Sequence, residues 1–129
     1  MSYKCWRILI VEEQCSLHSR ISRTLNELGC RALTPVRSFR ELLSVTQYSH
    51  EPFERFDLML INANVLAATG IDALRFFQSN AQIRHGVIYD GQRGQARAAM
   101  IYASQRRQLS LIRTPDRQTL GPLLEQFDV

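Results

Sequence analysis

No apolar run in this sequence approaches the roughly 20 residues that span a bilayer. The opening "MSYKCWRILIVEE" lacks the charged, then apolar, then small-residue layout of a secretory signal, because its apolar stretch is short and ends on two acids. A cytoplasmic protein without a membrane segment is therefore expected. Cysteine is scarce: Cys5, Cys15 and Cys30 are odd in number and show no C-x-x-C spacing. That argues against a disulfide framework or a zinc site and for reduced thiols, with Cys5 and Cys30 as small core residues. Cys15 has no evident basic neighbour to make it a redox thiolate. His18, His50 and His85 lack ligand spacing and read as structural or surface residues. Internal repeats, low-complexity tracts and Pro/Gly-rich linkers are all absent. The whole of 1–129 is thus expected to be one domain, large enough to bury a core without staples.

Positive charge is present, and almost all of it is arginine; Lys4 is the single lysine behind a formal charge of +4. A basic balance can serve nucleic acid, but arginine forks also make ordinary protein contacts. Short apolar runs alternate with amphipathic stretches. "RILIV" (7–11) suits a strand buried on both faces, and "SLHSRISRTLNELG" (16–29) a helix with Leu17, Ile21, Leu25 and Leu28 inward and Gly29 as its stop. "RALTPV" (31–36) is a weaker strand whose Pro35 suits a sheet edge. Ser38 and Glu41 form a capping box at the start of a second helix.

"FDLMLIN" (56–62) is the third strand, and "GIDALRFFQSN" (70–80) the third helix, with Ile71, Leu74 and Phe76 or Phe77 inward. "GVIYD" (86–90) follows as strand four, "QARAAMIYASQRR" (95–107) as helix four, "LSLIR" (109–113) as strand five and "PDRQTLGPLLEQF" (115–127) as helix five. Gly121–Pro122 should weaken or kink that last helix. Five strands alternating with five helices imply an α/β fold, its parallel sheet covered on both faces. Ligands of such sheets bind at the carboxyl ends of the strands. The candidates there are Glu12 and Glu13, Asn62, Asp90 and Thr114.

The acidic pair in "ILIVEE", "FDLMLIN" with Gly70 further on, and the Thr114–Pro115 pair, taken in this order, resemble the receiver domain of bacterial two-component response regulators. The resemblance runs over essentially the whole chain. It implies a flavodoxin/CheY-like, doubly wound, five-stranded parallel sheet of order 2-1-3-4-5 with five helices. It also implies a receiver standing alone or leading a longer regulator. In that family the Asn62 position holds an aspartate that accepts a phosphoryl group, and acids at the Glu12 and Glu13 positions hold Mg²⁺. A hydroxyl at the Asp90 position and a lysine at the Thr114 position contact the phosphoryl oxygens. An aromatic at the Leu111 position reports the switch.

Every one of these positions departs from the pattern: Asn62 replaces the aspartate, Glu12–Glu13 the usual Asp pair, Asp90 the hydroxyl, Thr114 the lysine and Leu111 the aromatic. An amide lacks the nucleophilicity of a carboxylate. Thr114 brings no cation to the transferring oxygens, and Asp90 brings a repelling charge. Like charges about 4 Å apart at an effective dielectric near 20 repel by roughly 4 kcal/mol. The expectation is a pseudo-receiver, not an enzyme, with no cofactor. Mg²⁺ on Glu12, Glu13 and Asp90 is the alternative, disfavoured by the longer glutamate arm. Arg113 does not replace the lysine if strand alternation turns it away.

What remains is a platform for a protein partner or an output domain. Arg93, Arg97, Arg106, Arg107, Arg113 and Arg117 stand against Asp116 alone, on what would be the helix four–strand five–helix five face. Receivers commonly dimerise or dock an output domain there. A solvated arginine surface, phosphorylation at another carboxylate such as Asp90, and direct nucleic-acid binding are the competing readings. No helix-turn-helix or stacking pair supports the last, since Tyr89 and Tyr102 read as packing residues.

Overall fold

A computed structural model of the chain describes residues 3–46, 55–91, 99–104 and 106–127. A short 3-10 turn, Tyr3–Cys5, leads into β1 (Arg7–Val11), α1 (Cys15–Glu27), β2 (Ala32–Val36) and α2 (Phe39–Thr46). Then follow β3 (Phe56–Asn62), α3 (Ala63–Thr69), α4 (Ala73–Ser79) and β4 (Ile83–Tyr89). The chain closes with β5 (Ala99–Ser104), β6 (Arg107–Ile112) and α5 (Arg117–Phe127). The strands form one sheet in the order β2-β1-β3-β4-β6-β5. The first five in that order run parallel, and β5 pairs antiparallel with β6 at the edge. This is a flavodoxin/CheY-like α/β fold with one added edge strand. No helix of the described residues is long and apolar enough to cross a membrane.

Strand alternation sorts the core into two layers. Ile8, Ile10, Leu58, Leu60, Val87 and Ile112 face α1 and α5, against Ile21, Leu25, Leu120 and Leu124. Leu9, Val11, Met59, Ile61, Ile88 and Leu109 face the opposite way, against Leu42, Val65, Phe76 and Phe77 of α2, α3 and α4. Because neither face is wet, β1 and β3 are continuous apolar runs and were legible as such.

The local signals mostly act where expected. Gly29 takes φ 98° and closes α1 with the paired bonds of a Schellman motif, Gly29 N–H to Asn26 O and Cys30 N–H to Leu25 O. Ser38 Oγ accepts from Glu41 N–H at 3.1 Å, and Glu41 reaches back to the Arg37 N–H at 2.9 Å. Pro35 lies in β2, at the sheet edge. α5 continues through Pro122.

Several expectations are corrected. Two helices, α3 and α4, separate β3 from β4. Gly70 therefore does not open a helix; at φ 68° it ends α3. Asp72 starts α4 by accepting the Leu74 N–H at 3.0 Å, which leaves Ile71 ahead of the helix and exposed. Cys5 is exposed and only Cys30 is buried. Most consequentially, the helix expected over 95–107 is not formed within 99–104, which is strand β5; 95–98 lie outside the described residues. Alanine-rich spacing favours a helix locally. Ile101 and Tyr102 also suit a strand, and the two-residue connection to β6 supplies a partner for the backbone. The Tyr102 ring packs edge-on against Phe77 at 6.1 Å.

Arg107 fixes that hairpin. Its guanidinium lies 4.1 Å over the Phe77 ring and donates to Phe77 O at 2.6 Å, Asn80 O at 3.1 Å and Ile83 O at 2.9 Å. A cation thereby meets the open carbonyls at the end of α4. Arg107 is expected to be structural, so Arg107→Ala should lower stability by about 1–3 kcal/mol, read as a shift in the urea midpoint.

On the α1–α5 face of the same end of the sheet, His85 is 4% exposed, stacked on Phe127 at 4.6 Å and tilted against Trp6 at 5.7 Å. Neither ring nitrogen has a hydrogen-bond partner among the described residues. Burial, then the charges of Arg84 and Arg107, push its pKa from 6.5 down to about 4. Between those values the unfolded chain takes up a proton that the folded one refuses. Stability should therefore fall as pH drops from 6.5 to 4, by up to about 3 kcal/mol. Denaturation midpoints across that range should flatten in His85→Phe, which keeps the stack.

Candidate functional site

The carboxyl ends of β1, β3 and β4 converge on one buried carboxylate. Glu12 follows β1 directly and is 2% exposed. Its Oε1 accepts from Asn62 Nδ2 and from the Tyr89 hydroxyl, each at 2.9 Å. Its Oε2 accepts from the Gln14 N–H at 3.0 Å. A buried charge left unpaired would cost several kcal/mol, and these three donors supply what water would have given it.

Asn62 is placed by two elements at once. It ends β3 and caps α3, its Oδ1 accepting the Asn64 N–H at 2.9 Å. With the amide oxygen turned to the helix, the NH₂ must face Glu12. The position needs an acceptor on one side and a donor on the other; of the two, a carboxylate could supply only the acceptor. Tyr89 lies beside Asn62 in the parallel register of β3 and β4 and is fully buried. Burial, followed by the charge of Glu12 and the hydrogen bond to it, pushes the Tyr89 phenol well above its usual range, so it stays a donor.

The other candidates are not gathered here. Register pairs Asn62 with Tyr89, so Asp90 is one residue too far along and half-buried; its N–H donates to Ile112 O at 3.2 Å. Glu13 is exposed. Among the described residues no three of His, Cys, Asp and Glu are grouped to hold a metal. The alternative of Mg²⁺ on Glu12, Glu13 and Asp90 finds no such group there. It also fails chemically: an amide and a phenol turn their hydrogens toward the Glu12 oxygen that a cation would need. The site does not fit Mg²⁺.

Thr114 is half-buried and donates to Asp116 Oδ2 at 2.9 Å, while Asp116 Oδ1 accepts the Thr119 N–H at 2.8 Å. Burial raises the Asp116 pKa, but the hydrogen bonds from Thr119, Thr114 and Gln118 outweigh it and leave the carboxyl below its ordinary value. The threonine thus serves the start of α5. Leu111 packs, half-buried, against the α2–α3–α4 layer. The Arg113 carbonyl accepts from the Gly91 N–H at 2.7 Å. Arg106 and Arg117 are exposed, and Arg93 and Arg97 lie outside the described residues. Arg107 is withdrawn from the expected contact face by its carbonyl ligands. The face itself changes, because a strand stands at 99–104 where a helix was expected.

Tyr89 is the residue that sequence reasoning missed, having been taken for packing alone. Its signal was its position, opposite Asn62 once β3 and β4 are set in register. It also lines a cleft of about 360 Å³ with Gln14, Arg20 and Thr114, between α1 and the β6–α5 connection.

Neither a family model nor a curated protein matches the sequence. Among solved structures the chain is similar to a response regulator receiver domain protein from Bacillus halodurans C-125. The two share 17% identity and a TM-score of 0.56, over 96% of this chain and 95% of that one. At that identity the likeness establishes the fold.

Asn62→Asp should remove one donor to Glu12 and add a second carboxylate beside it. At pH 7 the expected loss is about 1–3 kcal/mol, shrinking as acid protonates one of the pair. Tyr89→Phe, which adds no second carboxylate, should cost about 1 kcal/mol with a smaller pH dependence. Urea denaturation of the two variants at pH 7 and pH 4 separates them.

Proposed function

We propose that this chain is a non-phosphorylatable pseudo-receiver, a signalling domain that works through protein contacts in a two-component-type pathway and is not itself an enzyme. The observation that carries the reading is the bond from Asn62 Nδ2 to Glu12 Oε1. At the strand end where a receiver presents its phosphoacceptor, this chain presents an amide already committed to its neighbour. The surrounding chemistry agrees. An amide has no comparable nucleophilicity toward phosphorus, and Glu12 is occupied by donors that oppose a divalent cation. The single lysine, Lys4, reaches Gly29 beyond the far end of α1, so it cannot neutralise a transferring phosphoryl group.

Without a covalent switch, the fold serves as a scaffold whose contacts depend on concentration and partner supply. The β5–β6 hairpin with α5 is the surface assigned to a protein partner or output domain, in place of the face built on a fourth helix. Arg106 and Arg117 are its exposed arginines among the described residues.

The test is incubation with a small acyl phosphate donor and Mg²⁺, followed by intact-mass spectrometry. No phosphoryl adduct is expected on the native chain, nor on Asn62→Asp, since neither gains a cation at the strand ends. A phosphoryl group on any carboxylate of the native protein overturns the reading.

A further inference from the structure

We propose that the outer edge of β5 takes up an extended, acidic-flanked segment of a partner protein as a seventh strand. This rests on the reading that the domain acts through protein contacts, and it names the kind of partner. Among the described residues β5 pairs with β6 on one side and is terminal in the sheet. Five of its six residues are exposed, Met100 at 58% and Ile101 at 43%.

Edge strands are normally protected by charge, proline or inward-turned residues. The opposite edge, β2, follows that rule, with Pro35 inside it and Arg31 and Arg37 at its ends. Ala99–Ser104 contains no charge and no proline. A register shift between Met100 and Tyr102 leaves Ile101 without a cross-strand partner, while Tyr102 anchors the strand on Phe77. The edge therefore offers main-chain groups for a ladder and two apolar side chains for contact, the pattern used in strand addition.

Charge selects the occupant. Arg106, at the turn between β5 and β6, and Arg117, at the start of α5, are exposed, and the Asp116 carboxylate already accepts from Thr114 and Thr119. Pairing β5 with β5 of a second copy doubles these exposed arginines at one seam, which like-charge repulsion opposes. A strand with acidic residues at its ends meets them favourably.

The probe is a fluorescent ten-residue peptide with alternating Val and Thr at its centre and Asp and Glu at both ends, titrated by anisotropy. Three comparisons accompany it: the peptide N-methylated at alternate residues, the peptide with Lys at both ends, and the double variant Met100→Ser/Ile101→Ser, its fold checked by thermal unfolding. The acidic peptide should bind, and both peptide changes should abolish binding. The double variant should weaken it about tenfold through lost apolar contact. Arg106→Glu, which leaves the strand untouched, should weaken it too. Binding that survives N-methylation, equal binding of the Lys-ended peptide, or no binding at millimolar peptide each overturns the proposal. So does self-association in sedimentation that the double variant removes. The phosphotransfer assay reads Asn62 independently, so either proposal can fail while the other stands.

Discussion

A carboxylate removed from water at the end of β1 constrains much of this molecule. Glu12 cannot remain buried unless donors reach it, and the donors come from three separate places: the end of β3, the end of β4 and the first residue before α1. Holding them there fixes the mutual register of the three central strands at their carboxyl ends. It also fixes where α3 begins, since Asn62 must turn its other face to the Asn64 amide. Replacing one group disturbs the rest, because Glu12 is shared among three donors and Asn62 divides its amide between Glu12 and Asn64.

The parallel core was legible in the sequence because burial on both faces demands unbroken apolar runs. "RILIV" and "FDLMLIN" satisfy this with little ambiguity. The region after β4 was not legible, for a definite reason. A helix over 95–107 is supported by local propensity, whereas β5 is stabilised by residues that follow it in the chain and by Phe77 of α4. Propensity is a weak prior against pairing of that sort. Gly70 was misread by the same logic: the residue and its special backbone were recognisable, but which side of it the helix lay on depended on α3.

The site was legible in outline. Glu12 and Asn62 were identified from strand ends, and they are bonded to each other. Asp90 was chosen because it ends the expected fourth strand, yet the register of β3 and β4 gives the position beside Asn62 to Tyr89. One residue of offset separates a repelling charge from a hydrogen-bond donor. Arg107 illustrates a second difficulty. In the sequence it belongs to a basic cluster, and only the approach of α4 to β4 reveals carbonyls for it to meet. Charge patterning registers how many arginines there are and not which are already engaged.

The placement of β6 between β4 and β5 has a consequence for how the chain is made. The strand that lies against β4 is not the next one synthesised but the one after it. β4 and β5, consecutive in the chain, therefore lie two strand spacings apart, about 10 Å. Until the polypeptide has been extended through Ile112, that flank of β4 has no ladder partner. β5, whose ladder partner is β6, takes its place in the sheet together with that strand.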